Sequence, residues 1–248
     1  MSDGSITVLV DPFLTPWEGR RYETSLPPER AVGVDLVCCT HEHIDHFDAA
    51  SAPAIAAASP GAVFVVPSPI VDMVTEAGIP SDRVVGVQPG EVHELAGVTI
   101  RAVPARHGVT MDDAYGFGTE LSGGLIRFVG YLLEFGGVRV YHAGDTILYD
   151  GMEATVGALG PDVALLPVNG RHAEREARGI VGNLNEQEAA RLAAEIGAAT
   201  LVPMHHDLFV GNLGSSAAVV EATVVEGLGV SVLVPPRDVP FFVGKGAV

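Results

Sequence analysis

The sequence predicts a single α/β domain. Short runs of β-branched residues alternate along the chain with alanine-rich stretches of helix-forming composition. The 248 residues are enough for one large domain, and 48% of them are apolar, which supplies a sizeable core. No linker rich in Ser, Gly or Pro and no block of charge divides the chain. We therefore expect residues 1–248 to form one domain.

Strands are expected where a short apolar run rich in Val, Ile, Leu or Tyr ends at turn residues. The predicted strands are Ile6–Val10, Leu36–Cys39, Val63–Val66, Val84–Val87, Val92–Leu95, Val98–Val103, Tyr131–Phe135, Val138–Tyr141, Val163–Leu166, Thr200–Met204, Val230–Val234 and Val239–Val243. Ala96-Gly97 and Gly136-Gly137 each separate two of these runs, so each pair is expected to form a hairpin.

Helices are expected in the remaining periodic stretches, namely Ala49–Ala58, Ile70–Ala77, Asn185–Ile196 and Ser216–Glu226. Asn185 is a suitable N-cap, and Glu188 stands three residues later as in a capping box, so this helix has the clearest signal. Residues 106–128 are rich in Gly and polar groups and predict a long loop of the kind that often covers or binds a ligand.

Composition argues against several classes of partner. Asp and Glu number 31 against 14 Lys and Arg, a formal charge of −17 that repels nucleic-acid backbones, and no basic stripe offsets it. No apolar run reaches the ~20 residues of a membrane span, and the N-terminus lacks a targeting pattern. Cys38 and Cys39 are adjacent, so they point to opposite faces of a strand and predict buried free thiols. We expect a cytoplasmic protein that acts on a small molecule, with no nucleic-acid or membrane partner.

The most informative segment is Thr-His-Glu-His-Ile-Asp-His, residues 40–46. It places four potential metal ligands within six residues: His41, His43, Asp45 and His46. Side chains two apart on an extended segment leave from the same face, so His41 and His43 can share one ion. Asp45 and His46 follow at the next bend, where the chain can direct them at a second ion. Two ions ~3.5–4 Å apart are a common arrangement for activating water against an ester or phosphoryl centre.

Further candidate ligands follow other predicted strands. His107, Asp145 and the adjacent pair His205 and His206 each come within a few residues of a strand end. The ends of buried strands bring distant parts of a sequence together, so we expect these side chains to converge on the cluster. A carboxylate such as that of Asp145 can bridge two cations. His142 is expected to lie behind the ligands or to be structural.

The order of these motifs along nearly the whole chain resembles that of the metallo-β-lactamase superfamily. The resemblance implies an α/β fold of the αβ/βα four-layer sandwich type, with two metal ions at the edge between the sheets. The ligand set that it implies is His41, His43 and His107 for one ion, Asp45, His46 and His205 for the other, and Asp145 as the bridge.

Four segments resemble more closely the L-ascorbate-6-phosphate lactonase branch of that superfamily. They are Cys-Thr-His-Glu-His-Ile-Asp-His-Phe-Asp (39–48), Tyr-His-Ala-Gly-Asp-Thr (141–146), Leu-Pro-Val-Asn-Gly-Arg (166–171) and Gly-Asn-Leu-Asn-Glu-Gln-Glu-Ala (182–189). In that branch the last ligand stands in a Pro-x-His-x-Asp-x-Phe stretch, which selects His205 over His206. The branch usually opens with a further strand, which we expect to be absent here. An exposed sheet edge would favour a homo-oligomer.

These ligands predict a hydrolase. Five imidazoles and two carboxylates suit Zn, Mn, Fe or Co, and we expect two divalent ions per chain, zinc or manganese first. With Asp45, Asp145 and a bridging hydroxide, two dications keep a charge of about +1, which favours hydroxide and oxyanions. We expect metal-bound hydroxide to open a small lactone or ester, with those two carboxylates as catalytic groups.

Substrate contacts are expected from Asn169, Arg171 and Asn183, which suit an anionic, sugar-phosphate-like molecule. Two alternatives stay open. One is a phosphodiesterase acting on a small phosphodiester, and the other is a non-catalytic metal-binding scaffold.

Overall fold

A computed structural model of the chain describes residues 1–108, 124–169, 173–179 and 181–244. In this part of the chain eleven strands form two sheets. The strands are β1 (Val8–Val10), β2 (Leu36–Cys38), β3 (Val63–Pro67), β4 (Val84–Val87), β5 (Val92–Leu95), β6 (Val98–Pro104), β7 (Val129–Phe135), β8 (Val138–His142), β9 (Val163–Pro167), β10 (Thr200–Met204) and β11 (Ser231–Val232).

Six α-helices and three short 3₁₀ helices connect the described strands. The α-helices are α1 (Ala52–Ala58), α2 (Val71–Glu76), α3 (Met152–Gly157), α4 (Ala173–Glu176), α5 (Glu186–Glu195) and α6 (Ser216–Val225), and the 3₁₀ helices are Pro28–Arg30, Ser68–Ile70 and Ser81–Arg83. The predicted capping box is confirmed. Asn185 accepts a bond from the backbone of Glu188 at 2.8 Å, and the Glu188 side chain accepts one from Asn185 at 3.0 Å. Within the described residues, no helix is long and apolar enough to cross a membrane.

The two sheets differ in topology. The first has the order β1-β2-β3-β4, and its strands are all parallel. The second has the order β11-β10-β9-β8-β7-β6-β5. It is antiparallel from β5 to β8, with hairpins joining β5 to β6 and β7 to β8, and parallel from β8 to β11, where helices cross over. Strand β1 lies at one edge of the first sheet.

An apolar layer joins the inner faces of the two sheets. Val8, Leu36 and Val65 of the first sheet pack with Ile100 and Tyr131 of the second, and all five are fully buried. Burial of such apolar surface, at roughly 25 cal/mol per Å², is what holds the sheets together.

The helices cover the two outer faces. Ile55 of α1 and Val74 of α2 pack on the first sheet, and Leu192 of α5 packs on the second. The predicted four-layer αβ/βα sandwich is therefore confirmed. Cys38 lies in the layer between the sheets, whereas Cys39 lies under the outer helices, as the alternation of strand side chains requires.

The C-terminal strands differ from the prediction. The run Val230–Val234 forms only the two-residue strand β11, and Val239–Val243 forms no strand, so that prediction is wrong. Pro235, Pro236 and Pro240 interrupt this stretch. Because proline has no backbone N–H to donate to a ladder, pairing stops where these residues begin.

Candidate metal centre

Polar side chains from several strand ends meet at one edge of the sandwich. The loop after β2 carries the histidine cluster, and His107, Asp145 and His205 follow β6, β8 and β10. The ends of β1 and β2 belong to one sheet and those of β6, β8 and β10 to the other. The site is therefore assembled from both sheets, and packing of the sandwich fixes its geometry.

The structure brings together all seven residues that the sequence predicts as ligands. In each of three groups, one potential ligand atom per residue lies within 4.8 Å of the others. The groups are His41, His43 and His107; His41, His46 and Asp145; and Asp45, His46 and His205. His206, the alternative to His205, belongs to none of these groups.

Asp145 directs its two carboxylate oxygens at different groups. Oδ2 lies 3.5 Å from Nε2 of His107, whereas Oδ1 lies 3.5 Å from Nε2 of His46 and 3.5 Å from Nε2 of His205. Asp145 is only 5% exposed, and its Oδ1 accepts no hydrogen bond among the described residues. Buried polar atoms normally have a partner, so an unsatisfied carboxylate oxygen between imidazoles fits a site built for cations.

Hydrogen bonds from the outer ring nitrogens orient the imidazoles. Nδ1 of His107 lies 2.6 Å from the carbonyl oxygen of Gly182, to which it donates, so Nε2 keeps its lone pair and faces Asp145. Nε2 of His41 lies 2.9 Å from Nδ1 of His43. Two ligand nitrogens of one tetrahedral zinc ion stand about 3.4 Å apart. The pair is thus close to the spacing that a shared ion requires.

Asp11, at the end of β1, contacts the predicted ligands, and sequence reasoning missed it. Its Oδ2 accepts from Nδ1 of His46 at 2.7 Å and from the hydroxyl of Thr40 at 2.8 Å, while Oδ1 accepts from the backbone N–H of Thr40 at 2.8 Å. The Thr40 oxygen in turn lies 3.1 Å from Nδ1 of His41. Asp11 therefore orients two predicted ligands. The signal in the sequence was an Asp-Pro pair at a strand end, which alone does not indicate a metal site.

Gly144 allows the Asp145 loop to approach the histidine loop. Its φ of 63° is left-handed, and a Cβ there would lie 2.9 Å from Cβ of Thr40 and 2.9 Å from the carbonyl oxygen of Val129. A larger residue would move Asp145 away from the imidazoles, which explains the glycine in the Gly-Asp-Thr motif.

Three imidazoles are held neutral. Burial, reinforced by neighbouring imidazoles, holds the pKa of His41 well below its usual value and lowers the pKa of His43 to about 4. Burial also lowers the pKa of His107, although Asp145 opposes this. Because a metal ion binds neutral imidazole, this group carries its ligand-ready protonation state near neutral pH.

The side chains around Asp145 and Asp45 carry charge. Burial disfavours the ionised carboxylate of Asp145, but His205, His46 and His107 outweigh it and hold its pKa well below the usual value. Burial opposes protonation of His46 and His205, but the surrounding carboxylates, Asp145 foremost, raise the pKa of both imidazoles. The pKa of Asp45 is likewise lowered, since His46 and His205 outweigh its burial. Without a cation, protons on these two imidazoles balance the carboxylates.

Asn169 and Asn183 lie in the interior behind Asp145. They are 0% and 1% exposed. Nδ2 of Asn183 donates to Oδ1 of Asn169 at 2.8 Å, and Oδ1 of Asn183 accepts from the backbone N–H of Thr146 at 2.9 Å. These contacts support a role in positioning the Asp145 loop, and substrate contact by the two residues stays a prediction. Arg171 lies outside the described residues.

A cavity of about 260 Å³ opens beside the third group of ligands. Asp45, His46 and His205 form part of its wall. His142 lines it too and belongs to none of the three ligand groups, in agreement with its predicted place outside the ligand set. Nδ1 of His142 accepts from the backbone N–H of Gly144 at 3.2 Å.

Comparison with known proteins identifies the family. A family model described as "Beta-lactamase superfamily domain" matches residues 7–206. Over 206 residues the chain is 32% identical to a UPF0173 metal-dependent hydrolase of Methanoculleus marisnigri, and the match covers 83% of this chain and 76% of that protein.

Two solved structures show the same fold. One is Igni18, described as a novel metallo hydrolase from Ignicoccus hospitalis, with a TM-score of 0.68, 24% identity, and coverage of 94% of this chain and 88% of that one. The other is an isothiocyanate hydrolase from Delia radicum gut bacteria, with a TM-score of 0.70, 19% identity, and coverage of 92% and 89%. The chain belongs to the metallo-β-lactamase superfamily, in the family of UPF0173 metal-dependent hydrolases.

Proposed function

We propose that the enzyme holds two divalent ions, zinc or manganese, and hydrolyses a small lactone or ester. The observation that carries this proposal is the placement of Asp145, whose two oxygens face two different ligand groups at 3.5 Å. His41, His43 and His107 would hold one ion and Asp45, His46 and His205 the other. A carboxylate between two such groups is suited to bridge two cations and to fix their spacing.

The charges of the proposed ligands determine which reaction the centre favours. Two divalent ions, when bound here, supply an activated water and polarise the oxygen of a carbonyl group. The seven proposed ligands contribute only two negative charges, from Asp45 and Asp145, so the centre stays positive overall. A buried positive centre stabilises an oxyanion as charge develops in the transition state.

Asp45 is the residue that we assign to proton transfer. Its side chain is 16% exposed, it lines the cavity, and its Oδ2 lies 3.2 Å from Nε2 of His205. The lowered pKa of Asp45 keeps the carboxylate ionised, and from the cavity wall it would pass the proton of the attacking water to the oxygen of the leaving alcohol. Asp145 is better buried and lies between the ligand groups, which favours a structural and electrostatic role.

A lactone or ester is favoured as the substrate by the resemblance of four segments to the L-ascorbate-6-phosphate lactonase branch. The hydroxyl and carbonyl groups of such substrates match the positive centre, whereas the chain's charge of −17 disfavours long polyanions.

The test is a substrate screen on protein loaded with zinc or with manganese. Lactones and p-nitrophenyl esters form one arm and bis(p-nitrophenyl) phosphate the other. We expect turnover in the first arm, and we expect Asp45→Asn to lower kcat by ~100-fold or more when both proteins are compared at equal metal occupancy, reached with excess metal. His206→Ala is the matched control, since His206 lies outside the ligand groups. Turnover of the phosphodiester alone would assign a phosphodiesterase, and bound metal without turnover in either arm would assign a scaffold.

A further inference from the structure

Residues outside the ligand set also line the cavity beside Asp45. Arg20 and Tyr22 line it, together with Phe13 and Leu208. Its volume of about 260 Å³ is below the ~300–1,000 Å³ of common ligand pockets, so it suits a small molecule.

Arg20 is held in a fixed position at this cavity. Its Nη1 donates to the carbonyl oxygens of Phe13 at 3.2 Å and Thr15 at 2.9 Å, and its guanidinium lies 4.5 Å from the centre of the Phe13 ring. A β-bridge to Phe209 ties the same residue to the loop that follows His205. The guanidinium is therefore fixed relative to the metal centre before any ligand arrives.

Arg20 nevertheless lacks an anionic partner. Both of its side-chain hydrogen bonds use Nη1, so Nε and Nη2 have no acceptor, and Arg20 forms no ion pair, within the part of the chain that the structure describes. The carboxylates that line the same cavity are already engaged. Asp11 accepts from His46, Asp45 lies within hydrogen-bond distance of His205, and Asp207 accepts from Tyr22 and pairs with Arg237.

The missing partner of Arg20 contrasts with the composition of the chain. Acidic residues outnumber basic ones more than twofold, and yet none in the described part of the chain neutralises this partly buried guanidinium. Partly desolvated arginine is normally paired, because its charge is costly to leave without a partner. A free guanidinium edge is the standard partner of a carboxylate or phosphate group.

We propose that Arg20 binds an anionic group of the substrate, a carboxylate or a phosphate, in this cavity. This inference rests on the proposed function and narrows it. The substrate is a small anionic ester or lactone whose reacting carbonyl lies beside Asp45 and His205 while its acidic group pairs with Arg20. Arg20 is then the specificity-determining residue.

Paired esters test the proposal. Mono-p-nitrophenyl glutarate carries a carboxylate, whereas p-nitrophenyl butyrate is neutral, and both release the same product. We expect the metal-loaded enzyme to prefer the anionic ester. We expect Arg20→Gln to lower kcat/KM for the anionic ester by ~10–100-fold, mainly through KM, and to leave kcat/KM for the neutral ester unchanged. Arg20→Lys should recover part of the loss. Arg21→Gln is the control, since it removes the same charge from the neighbouring residue. Equal preference in the wild type, or equal losses on both esters, would overturn the proposal.

Competition and fluorescence separate the remaining possibilities. Glutarate and glycerol phosphate are tested as inhibitors of neutral-ester hydrolysis. The anion whose Ki rises in Arg20→Gln shows whether the site binds a carboxylate or a phosphate. The ring of Trp17, the only tryptophan, has its centre 6.3 Å from that of Phe13, which lines the cavity, so its fluorescence is the binding signal. If no ester is turned over, the proposed function is wrong, and the fluorescence titration then tests the anion site by itself. Quenching by either anion that Arg20→Gln abolishes supports the anion site, and no quenching in the wild type contradicts it.

Discussion

Asp11 accepts a hydrogen bond from Nδ1 of His46 at 2.7 Å, and this contact couples the end of β1 to the candidate metal centre. Because Nδ1 of His46 is held by Asp11, its Nε2 points toward Asp145 and Asp45, at 3.5 and 3.7 Å. A carboxylate behind a ligating imidazole fixes both its tautomer and its direction.

We expect Asp11→Asn to weaken metal binding by ~10–100-fold, because the neutral amide is a weaker acceptor for His46. Metal affinity measured by competition with a chelating dye checks this. Asp11 has a φ of 49°, a conformation that asparagine tolerates well, so the variant changes charge with little backbone strain. Unchanged affinity would show that Asp11 does not tune the site. Asp11→Ala should lose thermal stability as well, since alanine disfavours this φ.

Asn183 supports the Asp145 loop from behind. We expect Asn183→Ala to cost about 1–3 kcal/mol of unfolding free energy, because the buried N–H of Thr146 loses its acceptor, and to weaken metal binding as Asp145 shifts. Urea unfolding and dye competition measure the two effects.

Asn185→Ala is the control for that variant. It removes the N-cap of α5, which costs about 1 kcal/mol, but the cap bonds Glu188 and not the Asp145 loop. Loss of stability in both variants, with loss of metal affinity only in Asn183→Ala, supports the positioning role. Equal effects on affinity would contradict it.

Metal affinity should rise with pH. In the metal-free protein, Asp145 and the other carboxylates raise the pKa of His46 and His205, so both imidazoles keep protons that a cation must displace. As pH rises through these raised pKa values, the imidazole nitrogens lose their protons and can bind the ion. As pH falls, protons displace the ion. His43, whose pKa is lowered to about 4, adds little to this dependence above pH ~5. Titration at several pH values, with proton release measured in weak buffer, checks the sign. Affinity independent of pH from 5.5 to 8 would contradict the assignment of these imidazoles as ligands.

His205 and His206 provide an internal comparison. His205 belongs to a ligand group and has a φ of 57°, whereas its neighbour belongs to none. We expect His205→Ala to bind about one ion fewer per chain and to lose activity by ~100-fold or more, while His206→Ala keeps both properties. Metal analysis of the two purified variants measures this. A larger loss of metal in His206→Ala would reverse the assignment.

Much of the fold and of the proposed ligand set could be predicted from local sequence. The strands up to β10 and the cap of α5 follow from short-range patterns, and His107 and Asp145 follow from their places after strands. Asp11 was missed because its partner His46 is 35 residues away, and only the pairing of β1 with β2 brings them together. Arg20 was missed for the same reason, since its environment depends on the loop after β10.

Metal content per chain, measured by plasma mass spectrometry on the wild type and Asp145→Ala, tests the central claim most directly. Because the two oxygens of Asp145 face two ligand groups, we expect close to two ions in the wild type after reconstitution with zinc or manganese. In the variant we expect one or fewer, with His206→Ala unchanged. One ion or none in the reconstituted wild type, or two ions retained in Asp145→Ala, would contradict a centre bridged by this carboxylate.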